Sequence, residues 1–394
     1  MQRRSQQSAR RAGVARTGAL SARGRQRARR RRGPSRLRGA LFIVGIAVAF
    51  LGLVAGFLAL FTNFFRPVPV LTNLPVSSEA VVEAGGESIY YMKGTTLTCV
   101  NSRGEEQWSS KFPAGQQSLA VSDSLICLYD SAAATVVDVQ RNPLFTIPQS
   151  DFTILDVVCG RESIAVLCQT TDDGQTTQFL RLFDTSGKEI SRIDQEKAEV
   201  LSFGFSGSGE SLWYLTLDAS GVEPVSQITT YNPAQNTMTG LYQIYDELVD
   251  RVVFYGGDMY TCGTTYLSVY DTFGKKKADT LTYGTHCAAT YAGERSMLFA
   301  FAPYAGAEED IPTVRVLSTG GVDTLLQLPE GVRSVALSES RLYAFCGSTV
   351  YVYQVSGEFE KTIELGLEAK SVRALTGRCV LVNSGIAQYL MNIE

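Results

Sequence analysis

From residue 67 to the C-terminus, apolar and polar positions alternate in short runs separated by Gly, Asn, Asp and Ser. Alternation of this kind buries one face of an extended segment and marks a β-strand. No segment shows a convincing helical period of 3.6 residues. One strand type recurs, apolar and often aromatic: "SIYYMKG" (88–94), "SLICLYD" (124–130), "SIAVLCQT" (163–170), "SLWYLTL" (211–217), "DMYTCG" (258–263), "SMLFAFA" (296–302), "RLYAFCG" (341–347) and "RCVLVNS" (378–384). The start-to-start spacings are 36, 39, 48, 47, 38, 45 and 37 residues. A period of about 40–50 residues is that of a four-stranded propeller blade.

Each recurring strand follows another across a tight turn and precedes a third, such as "TYLSVYD" (265–271) or "TVYVYQV" (349–355). A fourth comes next, as in "ADTLTYG" (278–284) or "KTIELG" (361–366). The turn between the third and fourth strands carries a signature: "VNSRGEEQW" (100–108), "FDTSGKEI" (183–190), "YDTFGKKK" (270–277) and "YQVSGEFE" (353–360). An Asx or polar residue, two spacers and Gly is hairpin chemistry, the Asx side chain capping the turn and Gly supplying positive φ. Eight repeats fill residues 67–394 at about 41 residues each. The eighth ends on its third strand, "IAQYLMN" (386–392), so "PVLTNLP" (69–75) is expected to supply the fourth. Closing a ring with strands from both ends removes the exposed sheet edges. The fold class predicted is all-β, an eight-bladed β-propeller in one domain, with seven blades as the alternative.

The first 66 residues change the picture. Residues 1–38 hold 14 Arg, no Lys and no acid, which leaves 22 basic against 39 acidic residues, about −17, for residues 39–394. A block of one charge sign cannot collapse onto a core, so a disordered tail is expected over residues 1–38. Between Arg38 and Arg66 the chain is uncharged for 27 residues. At 1.5 Å per residue, about 20 residues span a bilayer core, so residues 39–65 predict one transmembrane helix. A cleavable signal peptide is the competing reading, but its apolar region is usually about 7–15 residues. The arginines precede the span and the next basic residue after Arg66 is Lys93. The positive-inside rule then keeps the N-terminus in the cytoplasm and puts the propeller (67–394) outside, a single-pass cell-membrane protein. Arg29, Arg30, Arg31, Arg32, Arg36 and Arg38 are assigned to topology and to anionic lipid headgroups. No aromatic residue interleaves them, so nucleic-acid binding has no support.

With the repeat in hand, residues 67–394 resemble the quinoprotein (PQQ-like) eight-bladed propellers. The whole arrangement also resembles a clostridial family of membrane-anchored propellers of unknown function. Quinoprotein dehydrogenases carry a Gly…Trp docking motif in most blades. In this chain Gly104 and Trp108 keep it, whereas Ser191, Asp279 or aliphatic residues stand at the equivalent positions. The resemblance thus implies the fold without the cofactor, and no cofactor is expected.

Candidate chemistry is sparse. Five of the eight Cys (127, 168, 262, 346 and 379) fall in second strands among apolar residues, and there is no CxxC, so core thiols are expected rather than disulfides or a zinc site. His286 is the single histidine, and its neighbour Cys287 should point to the opposite face of the strand, which argues against a Cys–His nucleophile. The acidic loops at Asp172 and Asp173 and at Glu308, Glu309 and Asp310 lack the alternating ligand spacing of a calcium loop. The long insertions join second to third strands: 170–177, 218–226 and 302–313. These share one propeller face with the blade-to-blade connections, and loops on a rigid scaffold carry function. Asp172, Asp173, Glu223, Tyr283, Tyr291, Tyr304, Glu308, Glu309 and Asp310 are therefore the candidate ligand face. The expectation is a non-enzymatic, membrane-anchored module or scaffold for a protein or cell-envelope ligand, similar to the propeller lipoprotein of outer-membrane barrel assembly. A degenerate quinoprotein-type enzyme and a transmembrane sensor signalling through the Arg-rich tail are the alternatives.

Overall fold

A computed structural model describes residues 71–393, apart from 113–115, 149–150, 173, 196–197, 246 and 305–308, together with Gly52. The expected tail (1–38), with Arg29–Arg32, Arg36 and Arg38, and the expected span (39–65, Gly52 aside) lie outside these residues. Among the described residues no helix is long and apolar enough to cross a membrane.

The alternating segments pair into eight four-stranded antiparallel sheets. The blades occupy residues 82–111, 118–147, 153–195, 199–245, 249–281, 285–327, 334–364 and 371–392, the last completed by Leu71–Ser77. The ring therefore has eight blades, not seven, and each recurring strand read from the sequence is the second strand of its blade.

Closure uses the segment the sequence proposes, two residues further on. Leu71–Ser77 pairs antiparallel with Ala387–Asn392, with Leu71 opposite Met391 and Asn73 opposite Tyr389. The buried amide of Gln388 donates from Nε2 to the carbonyls of Ser77, Ser78 and Ala80 at 3.1, 2.9 and 2.7 Å. Asn383 Nδ2 donates to the Ser78 carbonyl at 2.9 Å. Both ends of the domain are thus sewn into one blade.

The core is not one mass but eight apolar clusters, one at each seam between neighbouring blades. Leu74, Ile89, Tyr91, Val100 and Leu381 fill the seam between blades eight and one, and Tyr260, Met297, Phe299 and Phe301 fill that between five and six. A strand in a blade has neighbours on both sheet faces, which is why second strands read as nearly continuous apolar runs.

The turn signature has a second use. Asn101 Oδ1 accepts the backbone N–H groups of Arg103 and Glu105 at 2.9 and 3.0 Å, and Asp184 and Asp271 repeat the motif. The glycine at its end lies against the outer strand of the preceding blade. A Cβ on Gly104 would fall 2.5 Å from Thr72 Cγ2, one on Gly187 2.8 Å from Phe145, one on Gly274 3.2 Å from Tyr242 and one on Gly357 3.1 Å from Thr324. Two of these seams set an aromatic ring against the glycine: Phe145 stands where the docking motif has Trp, whereas Tyr242 lies two residues past that position, which Gly240 holds. Trp108 itself packs edge-on against Tyr90 and under the Arg141 guanidinium of blade two. Pairing also shows that Ala278, rather than Asp279, matches Trp108, since Ala278 faces Val269 as Trp108 faces Cys99.

Gly104 also has φ +75°, where an L side chain costs about 1–2 kcal/mol. Gly104→Ala adds the collision with Thr72 and should destabilise the domain by about 2–3 kcal/mol in urea unfolding. Gly94→Ala, with φ +61° and open space around it, should lose only the conformational part. Equal losses in the two variants would show that the seam contact is unimportant.

Candidate functional site

Strand direction assigns the faces. First strands start, second strands end, third strands start and fourth strands end on the face that carries the long hairpins. That face of blades three to six gathers exposed apolar side chains. Tyr245 ends the fourth strand of blade four, and Leu248 follows in the connection to blade five. Tyr266 and Leu281 are paired at the edge of blade five. Tyr283 stands in the next connection, 77% exposed, and Tyr304 follows the second strand of blade six, 56% exposed. The backbone ties these groups together: Thr264 N–H donates to the Leu248 carbonyl at 3.0 Å, and Thr282 N–H to the Thr265 carbonyl at 2.8 Å.

A buried carboxylate supports this edge. Glu247 is 7% exposed, and its Oε1 accepts the N–H groups of Thr265 and Tyr266 at 3.0 and 2.6 Å. Its backbone carbonyl accepts the buried Ser226 hydroxyl at 2.9 Å. The hairpin tip that presents Tyr266 is therefore fixed to the connection that presents Leu248.

Towards the axis, the inner strands of blades three, four, five and six each carry a β-bulge near their start, at Leu155, Leu201, Asp250 and Ala288. A bulge re-aims the extra residue out of the pleat. Leu155 and Leu201 are exposed there, extending the apolar surface to the channel mouth. Asp250 is open to the mouth yet enclosed by its walls, and this enclosure raises its carboxyl above the ordinary value, against the pull of the Arg251 guanidinium. His286 packs at a tilt against Tyr304 with ring centroids 5.4 Å apart, and its Nδ1 is buried without a hydrogen-bond partner.

The residues proposed from sequence separate into groups. Tyr283 and Tyr304 stand on the shared patch. Asp172 is exposed at the hairpin tip of blade three and Glu223 in the loop of blade four. Glu309 is exposed beside Asp310, whose Oδ2 accepts Gly331 N–H at 2.7 Å and whose Oδ1 lies 3.9 Å from Arg333. Asp310 therefore pins its loop to the next blade connection. Asp173 and Glu308 lie outside the described residues. Tyr291 belongs to the opposite face: it sits at the far end of its strand, across from Leu298, with its ring against Gly293 and Gly377. Six residues at about 3.3 Å each carry the chain across the sheet between Thr285 and Tyr291.

Sequence reasoning missed Tyr245, Leu248, Tyr266, Leu281, Leu155 and Leu201. For the last two a signal existed: the doubled apolar pairs Ile154–Leu155 and Val200–Leu201 break the alternation where the bulge lies.

Other chemistry is scarce among the described residues. No group of three or more His, Cys, Asp or Glu is placed to hold a metal ion. Burial pushes the thiols of Cys159, Cys168 and Cys379 up to about 12, far from a reactive thiolate. A cavity of about 530 Å³ opens on the opposite face between blades four and five, lined by Ser206, Thr230, Tyr242, Phe254 and Asp271. Its carboxylate, Asp271, already accepts two N–H groups of its own turn. The long-loop face is the better candidate.

A family model described as "Family of unknown function (DUF5711)" matches residues 65–388. No curated protein matches the chain. Among solved structures, the chain is similar to BamB from Moraxella catarrhalis at 10% identity and a TM-score of 0.52, covering 82% of this chain and 98% of that one. It is similar to the WD40 domain of SCAP from fission yeast at 9% identity and 0.56, covering 82% and 97%. The computationally designed Ika8 protein gives 10% identity and 0.51, covering 82% and 100%. At these identities the likeness is one of fold alone.

Proposed function

Because the chain belongs to the DUF5711 family of unknown function, its role has to be read from its own surface, and we propose that it is a non-enzymatic binding module, held at the membrane by residues 39–65, that docks a protein partner on its long-loop face. The observation that carries this reading is that Tyr245, Leu248, Tyr266, Leu281, Tyr283 and Tyr304 are all exposed on one face of three successive blades. Single exposed apolar residues are ordinary, but a contiguous group with a polar surround marks an interaction surface. Tyrosine suits such a surface because it buries a large ring at low entropic cost and keeps a hydroxyl for the rim. The tether is supported by the 27 uncharged residues behind 14 arginines.

The experiment is crosslinking in cells followed by purification of the full chain. Tyr283→Ala combined with Tyr304→Ala should reduce recovery of the specific partner at least tenfold while leaving the thermal midpoint of the propeller unchanged, since a tyrosine anchor contributes about 2 kcal/mol or more. Recovery of the same partner at wild-type yield would remove the reading.

A further inference from the structure

The eight cysteines are all unbridged, but they are not equivalently placed. Cys99, Cys346 and Cys379 are each the single cysteine of their seam's described core. The seam between blades five and six differs: Cys262, from the second strand of blade five, and Cys287, from the inner strand of blade six, face into the same cluster with Tyr260, Leu267, Met297 and Phe299. They are 0% and 3% exposed. The second strand of blade five and the inner strand of blade six touch there, and the same apolar side chains enclose both cysteines; Cys287 Sγ also lies 3.6 Å from the Ala289 carbonyl, to which it donates. The seam between blades two and three holds Cys127, Cys159 and Cys168, with Cys159 Sγ donating to the Ala120 carbonyl at 3.6 Å.

Same-strand positions in neighbouring blades lie too far apart for a disulfide, which is why counting cysteines per blade points away from bridging. This pair is of another kind. It joins the second strand of one blade to the first strand of the next, with 24 residues between them.

We propose that Cys262 and Cys287 are the site of an inter-blade disulfide that staples blade five to blade six. As the Sγ–Sγ bond forms, the two thiols lose two protons and two electrons. The electrons pass to an incoming disulfide, that of a thiol–disulfide oxidoreductase or of oxidised glutathione, whose S–S bond breaks into two thiols that take up the protons. Exchange proceeds through a thiolate, and the neighbouring Cys287 together with burial holds the folded-state thiol of Cys262 well above its ordinary value. Oxidation therefore belongs to the stage of folding before this seam closes. An outward-facing propeller meets its oxidants then. The staple lies directly beneath the edge that carries Tyr266, Leu281 and Tyr283, so it would hold that surface rigid.

The test uses the full chain refolded in detergent with oxidised and reduced glutathione, and a parallel sample refolded with reductant. Alkylation and tryptic mapping should find peptides 252–275 and 278–295 joined in the first sample and separately alkylated in the second. The thermal midpoint should be about 5 °C higher in the oxidised sample, and Cys287→Val should abolish that difference. The same map made on chain quenched with acid directly from membranes of expressing cells covers the case in which refolding fails. Full alkylation of both Cys262 and Cys287 in folded oxidised protein, or in the acid-quenched chain, overturns the proposal. So does a midpoint that does not respond to oxidation.

Discussion

Deletion of residues 71–77 removes the cooperative unfolding transition of the propeller. This short strand completes the eighth blade. Without it Ala387–Asn392 becomes an open edge, and the buried Gln388 amide loses the Ser77 carbonyl and the fixed position of the Ser78 and Ala80 carbonyls. The same deletion takes Leu74 out of the seam between blades eight and one, and it removes Thr72, against which Gly104 rests. Leu74→Ala alone should cost about 2–5 kcal/mol. The full deletion adds the lost ladder and leaves an open edge, which exceeds the 5–15 kcal/mol by which a domain is ordinarily stable. Circular dichroism on heating and size exclusion are the measurements. A deleted chain that melts cooperatively near the wild-type midpoint would show that the ring does not depend on this closure.

Glu247→Ala should destabilise the domain by about 3 kcal/mol. The substitution leaves the N–H groups of Thr265 and Tyr266 without the acceptor they now share, and a bond to a charged group contributes about 1.5–3 kcal/mol. Gly263 shows how closely the carboxylate is built in, since a Cβ there would lie 2.4 Å from Glu247 Oε1. Glu247→Gln keeps one acceptor oxygen and should lose less than half as much. Urea unfolding separates the two variants, and equal small losses in both would mean that water replaces the carboxylate. Because this group anchors the hairpin tip under Tyr266, the alanine variant should also weaken partner recovery, although Glu247 itself is buried.

The blades were legible because a propeller repeats its burial. Every second strand sits between two sheets, so its apolar run recurs whatever else drifts, and the missing fourth strand of the last blade pointed to the segment just ahead of the first. The proposed binding face was legible only in part. Loop length picked out a face but not the side chains on it, because Tyr245, Tyr266 and Leu281 lie at strand ends, where alternation alone cannot tell an exposed side chain from a core one. Tyr291 was placed on the wrong face for the complementary reason: closeness to Tyr283 in the chain hides a full strand crossing. Glu247 reads as one more loop acid, since its partners lie 18 and 19 residues further on. That Cys262 and Cys287 share one seam escaped because comparing blades position by position never pairs a second strand with a first.

The ring is eightfold in its strands but not in its seams. A glycine turn rests on the preceding blade at the seams eight–one, two–three, four–five and six–seven. In the alternate turns of blades two and four the position falls to Arg141 or Asn236, and in blade six to Gly321, which meets nothing. Among the seven blades that have this turn, the two kinds of joint therefore alternate. Duplication, loss or transplantation that preserves both kinds of joint moves two blades together, and a designer lengthening or shortening this ring should cut it in pairs.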